Sequence, residues 1–208
     1  MTVPKVFIIE SLDFEDEENN LFEGHIISNI LNLSCIETKY FYVRTKIEFR
    51  KVIEIFENSN YRYLHISCHG GENNDSIWTT MEEIPFAELS EILEFSLYKK
   101  RLFLSACSVV NKKLAEEVIP KTECISIIGP KNDIEFPDAT IMWSSFYHLM
   151  FKKDSNRMLR KDVVESMQKV VNAFGTPLSY HWKIRKTSRF RNTLIKPTPD
   201  DFLSPSHE

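Results

Sequence analysis

A histidine and a cysteine follow two predicted strands of this 208-residue chain. His69 comes directly after the apolar residues 63–68, and Cys107 comes shortly after residues 101–105. Short apolar runs of this kind are typical of buried strands. Because the carboxyl ends of parallel strands meet at one edge of a sheet, we expect the two side chains to lie close together.

This pair suits nucleophilic catalysis. A cysteine beyond a strand end is accessible to a substrate, and a nearby imidazole favours the thiolate, which is the nucleophilic form. Gly70 permits a close backbone approach, so its N–H and that of Cys107 are candidate donors to a tetrahedral oxyanion. The plainer interpretation is a polar loop histidine at position 69 and a cysteine that packs as a small apolar residue.

A metal site is a second interpretation of this region, with His65, Cys68, His69 and Cys107 as ligands. Alternation along a strand sends His65 and Cys68 to opposite faces, and their spacing matches no common zinc site. We therefore predict neither a metal nor a cofactor. His65 is expected to be a hydrogen-bonded histidine inside a buried strand.

The composition is that of an ordinary globular domain, with 42% hydrophobic and 27% charged residues. A net charge of −4 gives no electrostatic basis for nucleic-acid binding, and only 5 glycines and 9 prolines disfavour a many-stranded barrel or sandwich. The four cysteines include no CxxC pair, and the longest apolar runs are shorter than the roughly 20 residues that span a bilayer. These features predict reduced thiols and a cytoplasmic protein without a membrane segment.

Short apolar runs alternate with amphipathic segments along the chain. Strands are predicted at residues 6–9, 36–43, 63–68, 101–105 and 124–128. The acidic residues 13–18 are predicted to form the loop before a helix, and a later helix is predicted to stop at Pro120. This alternation predicts a mainly parallel sheet with helices on both faces.

The segments around the two candidate residues resemble those of the caspase-like cysteine proteases. Residues 64–70, Leu-His-Ile-Ser-Cys-His-Gly, are similar to the strand that ends in His-Gly in that superfamily. Residues 102–108, Leu-Phe-Leu-Ser-Ala-Cys-Ser, are similar to the strand that leads to its nucleophile. Further segments resemble the CHAT branch, which is related to separase and caspases: residues 127–129, 138–147 and 177–182.

The resemblance implies an α/β, three-layer caspase-like fold with about six strands in a mainly parallel sheet. It also implies that His69 is the general acid and base, that Cys107 is the nucleophile that forms an acyl-enzyme, and that Gly70 and Cys107 are the oxyanion donors. No third catalytic residue is required. We assign residues 1–185 to a single domain of this type and residues 186–208 to a basic C-terminal extension and tail.

Related proteases that cut after Arg or Lys place an acidic residue in the pocket for the residue before the cut. The resemblance puts Asp138, with Asp133 as the second choice, in that region. The competing interpretation is that Asp138 only supplies a negative charge to the first turn of a helix. Metacaspases carry an aspartate two residues before the nucleophile, where this chain has Ser105.

The sequence thus predicts a cysteine endopeptidase that cuts a specific partner protein after a basic residue. CHAT proteases often belong to bacterial defence or cell-death systems, and many carry fused regulatory repeats that this sequence lacks. A separate regulatory or activating chain is therefore expected, with an autoinhibitory loop or oligomerisation as the alternatives. The alternative is a non-catalytic caspase-like scaffold module. Residues 183–196 carry six basic residues and no acids, for which a solvated edge strand is preferred over nucleic-acid binding.

Overall fold

The computed structural model describes residues 2–198 and contains ten strands and seven helices. In chain order the strands are β1 (Val3–Glu10), β2 (Thr38–Tyr42), β3 (Tyr61–Ser67), β4 (His69–Gly70), β5 (Ser76–Trp78), β6 (Glu83–Pro85), β7 (Arg101–Ser105), β8 (Ser126–Pro130), β9 (Leu178–Lys183) and β10 (Phe190–Ile195). The helices are α1 (Phe14–Glu18), α2 (Glu23–Leu33), α3 (Lys46–Glu57), α4 (Phe86–Ile92), α5 (Lys112–Thr122), α6 (Phe136–Lys153) and α7 (Arg160–Phe174).

Seven of the strands form the central sheet, in the order β10-β9-β8-β7-β3-β1-β2. Five of them are parallel, whereas β9 and β10 are antiparallel to their neighbours. The short strands β4, β5 and β6 form a separate antiparallel sheet. The predicted mainly parallel sheet is confirmed, with one strand more than the expected six. That strand is β10, an edge strand beyond residue 185, and residues 199–208 of the predicted tail lie outside the described residues.

Successive residues of the central strands point to opposite faces and supply two apolar cores. On one face Phe7 and Leu102 pack with residues of α3, α4 and α5. On the other face Ile8 and Phe103 pack with residues of α2, α6 and α7, including Trp143 of α6. The predicted three-layer α/β architecture is therefore confirmed. Within residues 2–198 no helix is both long enough and apolar enough to cross a bilayer.

Two local predictions are wrong. The acidic residues 13–18 contain the short helix α1, because the Asp13 side chain caps it by accepting the N–H of Asp16 at 2.9 Å. Helix α5 passes through Pro120 and ends at Thr122. A proline so near the carboxyl end removes one backbone hydrogen bond without breaking the preceding turns.

A buried carboxylate joins the end of β1 to the first turn of α2. Glu10 accepts the N–H of Gly24 at 2.6 Å, the N–H of His25 at 3.2 Å and the hydroxyl of Tyr40 at 2.7 Å. A Cβ at position 24 would lie only 2.9 Å from the Ile8 side chain, so a glycine allows this close approach. The interaction sets where α2 begins, and with it the position of its first residue.

The same carboxylate makes stability depend on pH. Burial raises the pKa of Glu10 from 4.5 to about 7. The folded protein therefore holds this proton more tightly than the unfolded chain, so the stabilising contribution is complete below pH 4.5 and is lost as the pH rises to about 7. In urea titrations we expect the free energy of unfolding to fall, relative to Glu10→Gln, by up to about 3 kcal/mol over this range. A difference that stays constant or grows with pH would contradict this origin.

Candidate active site

His69 and Cys107 line one cleft of about 390 Å³ at the carboxyl edge of the central sheet. Strands β3 and β7 are parallel neighbours, and their last residues, Ser67 and Ser105, lie opposite each other. The chain leaves the sheet at the same level in both strands, so residues two positions further on reach the same cleft. The structure thus brings together the two residues that the strand ends indicated.

The Cys107 thiol is partly buried against the loop that precedes α6. Its Sγ donates a weak hydrogen bond to the carbonyl of Ile134 at 3.7 Å. The next residue, Ser108, has a left-handed backbone with φ of 58°, and its hydroxyl donates to Asp133 at 2.8 Å. This contact holds a backbone conformation that non-glycine residues rarely adopt, directly beside the thiol.

Burial raises the pKa of the Cys107 thiol above its ordinary value of 9.0, and the negative charges of Asp133, Glu135 and Glu23 raise it further. The resting thiol is therefore protonated at neutral pH. For it to act as a nucleophile, a base within the cleft must accept its proton.

His69 is held from the opposite side by an acidic residue of α1. Its Nε2 lies 2.5 Å from Oδ2 of Asp16 and 3.8 Å from Oδ2 of Asp13. The His69 ring makes an edge-to-face contact with the ring of Phe136, with a centroid distance of 5.6 Å and an interplanar angle of 84°. Because Asp16 occupies Nε2, Nδ1 is the nitrogen that remains for proton exchange in the cleft.

Gly70 brings its backbone against the backbone of Cys107. A Cβ at position 70 would lie 2.3 Å from the carbonyl oxygen of Cys107 and 2.7 Å from the side chain of Val109. No other residue type fits there without movement of the backbone. This proximity is compatible with the predicted pair of oxyanion donors, whose role stays a prediction.

The two candidate specificity residues differ in position. Asp133 lines the cleft at its exposed rim and accepts the hydroxyl of Ser108. Asp138 is exposed in the first turn of α6 and is not among the residues that line the cleft. The acidic start of a helix is where a carboxylate interacts favourably with the helix dipole.

Four carboxylates line the cleft, and none of its described lining residues is Lys or Arg. These acids are Glu23, Glu72, Asp133 and Glu135. Glu23 is the buried one, with 2% of its surface exposed. Its Oε2 accepts the hydroxyls of Ser67 at 2.9 Å and Ser105 at 3.0 Å.

Three residues of the alternative metal site, Cys68, His69 and Cys107, line the cleft, but within residues 2–198 neither cysteine belongs to a group of ligand atoms at metal-binding spacing. His65 is fully buried, with Nδ1 2.9 Å from the Tyr147 hydroxyl on the α6 face, which confirms the expected core histidine. Cys68 is buried in the core on the opposite face. Among residues 2–198, the one cluster with suitable spacing is formed by Asp13, Asp16 and His69, whose ligand atoms lie within 4.8 Å of one another.

The sequence-based prediction missed two residues of this site, Asp16 and Glu23. Both lie in the segment after β1, a strand that also ends at the carboxyl edge of the sheet. Functional side chains in parallel sheets lie beyond the carboxyl ends of strands, and this holds for β1 as it does for β3 and β7. The acidic residues 13–18 are predicted to form a loop before a helix, and a run of acids by itself does not indicate which carboxylate faces the cleft.

The sequence matches no protein-family model, and no curated protein matches it at a significant level. Solved structures do match. The secreted C11 cysteine protease iotapain from Bacteroides thetaiotaomicron superposes with a TM-score of 0.61 and 7% identity, over 87% of this chain and 66% of that chain. Caspase-1 from Spodoptera frugiperda superposes with a TM-score of 0.52 and 10% identity, over 82% of this chain and 77% of that chain.

The chain has the caspase-like fold. It spans just under two thirds of the iotapain chain. The separase of Saccharomyces cerevisiae, solved with securin, matches at a TM-score of 0.43 and 15% identity, over 82% of this chain and 11% of that chain. The fold-level resemblance seen in the sequence is confirmed, and the assignment to the CHAT branch stays a prediction.

The negative charges beside Cys107 can be tested by alkylation with iodoacetamide. Cys35 is exposed and has a φ of 57°, so it is replaced first by Asn, which tolerates that conformation, while Cys68 and Cys124 are buried. We expect the alkylation rate of Cys107 to rise with a midpoint above pH 9.0. Asp133→Asn removes one charge, so it should lower that midpoint and speed alkylation at pH 7.

Asp138→Asn is the matched control, because Asp138 is an exposed acid outside the cleft. It should leave both the midpoint and the rate unchanged. An equal response to the two substitutions would show that the net charge of the protein, rather than the charge of the cleft, controls the thiol.

Proposed function

We propose that this protein is a cysteine endopeptidase in which Cys107 is the nucleophile and His69 is the general acid and base. One observation carries the proposal: the Cys107 thiol and an imidazole held by Asp16 line the same cleft of a caspase-like fold. A thiol and an imidazole in one cleft supply the nucleophile and the base that acyl transfer requires.

In the proposed reaction, Nδ1 of His69 takes the thiol proton as Sγ of Cys107 bonds to the scissile carbonyl carbon. The backbone N–H groups of Gly70 and Cys107 donate to the resulting oxyanion. The imidazolium then gives its proton to the leaving amine as the C–N bond breaks, which leaves a thioester. Water, deprotonated by His69, attacks the thioester and releases the carboxylic acid and the thiol.

Asp16 is a positioning residue in this scheme. Its carboxylate fixes the orientation of the imidazole through Nε2 and stabilises the positive charge that develops on the ring. The reaction therefore uses a dyad with a third supporting group, which the sequence resemblance did not require.

The proposed substrate is a partner protein that is cut after a basic residue. The support is the charge of the cleft, which is lined by four acids and by no Lys or Arg among its described residues. Of the two predicted specificity residues, Asp133 is the one that lines the cleft. A role in bacterial defence or cell death, and control by a separate regulatory or activating chain, are part of the same proposal and rest on the CHAT resemblance. The proposed cytoplasmic location rests on the predicted reduced thiols.

Peptide cleavage tests the nucleophile and the base. A fluorogenic panel with Arg, Lys, Asp or Leu before the cut is assayed with wild type, Cys107→Ala and His69→Ala. Each substitution is expected to lower kcat/KM for the best peptide by at least about 100-fold, because each removes a group that takes part in bond making. Cys35→Asn and His148→Ala are matched controls, since both residues are exposed outside the cleft.

The proposal fails if the wild type cuts no peptide of the panel and Cys107 is not labelled by peptide probes that carry a thiol-reactive group. That result would favour the non-catalytic scaffold module.

The role of Asp16 has its own test. Asp16→Asn keeps a hydrogen-bond acceptor but not the charge, so kcat is expected to fall by about 10- to 100-fold with KM nearly unchanged. Asp16→Glu should restore part of kcat. Asp13→Asn is the control, because Asp13 lies further from Nε2 and asparagine caps a helix equally well. Equal losses in both asparagine variants would indicate that helix α1, rather than the Asp16 carboxylate, supports His69.

A further inference from the structure

Trp78 presents a large apolar ring to solvent beside the imidazole of the proposed base. In the small antiparallel sheet, His69 of β4 pairs directly with Trp78 of β5. Side chains of directly paired residues project from the same face of a sheet, with Cβ atoms about 5 Å apart. The next pair, Gly70 with Ile77, belongs to the other face, where Ile77 is 1% exposed, whereas Trp78 is 40% exposed. Trp78 therefore stands next to His69 on the outer face.

The indole of Trp78 lacks the partners that the other two tryptophans have. Trp143 is fully buried among aromatic rings, and Trp182 packs on Tyr180 and lies under the guanidinium of Arg160. Within residues 2–198 no aromatic ring packs on Trp78 and no cationic group lies over it. The ring is thus available to an apolar group from outside the chain.

The backbone around Trp78 is fixed, although its ring is exposed. The next residue, Thr79, is buried, and its hydroxyl donates to the carbonyl of Glu82 at 2.9 Å. The N–H of Thr80 donates at 2.9 Å to the hydroxyl of Ser11, the first residue after β1. A ring held by β4 on one side and by the end of β1 on the other binds a partner with little loss of conformational freedom.

The chemistry of the proposed reaction decides which part of a substrate passes this ring. The acyl part of the substrate is bonded to Sγ of Cys107, whereas His69 must reach the amine that leaves. The segment after the cut therefore runs past His69. An extended peptide advances about 3.3 Å per residue, so a ring about 5 Å beyond His69 meets the first two residues of that segment.

We propose that Trp78 is a specificity-determining residue that binds an apolar side chain in the first or second position after the cut. The inference rests on the proposed function and adds a requirement on the released side of the substrate. Contact between the indole and an apolar side chain removes the exposed ring surface from water, which is favourable.

The first test uses internally quenched peptides that share one sequence before the cut and carry Phe, Leu, Gly or Lys at each of the first two positions after it. Wild type is expected to prefer Phe or Leu over Gly by at least about 10-fold in kcat/KM at one of these positions. Trp78→Ala should reduce that ratio to within about threefold of unity. Because the ratio is taken within one variant, a lower folded fraction does not affect it.

Trp78→Phe retains an aromatic ring and should keep most of the preference. Phe95→Ala is the matched control, because it removes an exposed aromatic ring outside the cleft and should leave the ratio unchanged. Trp78→Thr is the second variant in case Trp78→Ala does not fold, since threonine favours strands.

A methyl ester separates substrate binding from support of His69. An ester of the same acyl segment has no residue after the cut, so Trp78→Ala should lower the ratio of kcat/KM for the Phe peptide to kcat/KM for the ester by about 10-fold. Equal losses on both substrates would show that Trp78 acts through His69, and would overturn the proposed role.

The second test needs no peptide cleavage. The three tryptophans are replaced by 5-fluorotryptophan, and the ¹⁹F signal of Trp78 is identified by its loss in Trp78→Phe. The dipeptide amide Phe-Leu-NH₂, the kind of product that such a cut releases, should shift this signal, whereas Gly-Gly-NH₂ should not. Trp143 and Trp182 serve as internal controls, because Trp143 is buried and Trp182 pairs with the first residue of β8, at the opposite edge of the sheet.

The outcomes separate the two proposals. If peptides are cut with no preference for apolar residues after the cut, or with one that persists in Trp78→Ala, the role of Trp78 is wrong and the endopeptidase stands. A preference for Lys that depends on Trp78 also overturns this role, because it assigns the ring to a cation. If Phe-Leu-NH₂ shifts the Trp78 signal but no peptide is cut, the apolar surface stands and the endopeptidase does not. Absence of both effects overturns both.

Discussion

The parallel pairing of β3 with β7 is the interaction on which the site depends. It places Ser67 opposite Ser105, so the chain leaves the sheet at one level in two neighbouring strands. Both serine hydroxyls donate to the same carboxylate, and His69 and Cys107 follow two residues later. A slip of one residue in this register would send the side chains of one strand to the other face and separate the hydroxyls from Glu23.

The segment after β1 completes the arrangement from the adjacent strand. Helix α1 carries Asp16 to the imidazole, and the buried Glu10 sets the start of α2, whose first residue is Glu23. The acids that line the resulting cleft have two opposing effects: they favour a bound positive charge, and they disfavour the thiolate of Cys107. The acids that suit a basic side chain are also those that raise the pKa of the Cys107 thiol.

Local prediction succeeded where burial and periodicity agree. Strand β7 has the predicted bounds, and β3 differs by one or two residues at its ends, because both strands are buried on two faces and carry apolar residues at most of their positions. The prediction from apolar periodicity failed where a cap or a proline determines whether a short stretch of backbone is helical. The Asp13 cap turned an acidic segment into α1, and α5 accommodated Pro120 near its end. These are short-range backbone effects that the pattern of apolar residues does not register.

The sequence by itself determined the two strand ends, and so the presence of His69 and Cys107 at one edge of a mainly parallel sheet, because apolar runs and their spacing depend only on neighbours along the chain. The tertiary structure alone decided which acids join them. Asp16 meets His69 across 53 residues of sequence, and Glu23 meets Ser105 across 82. Such contacts depend on how helices dock against strand ends, so their partners carry no fixed sequence spacing. For the same reason Glu23, invisible as a candidate in the sequence, becomes the buried acid of the cleft only when α2 packs against the sheet.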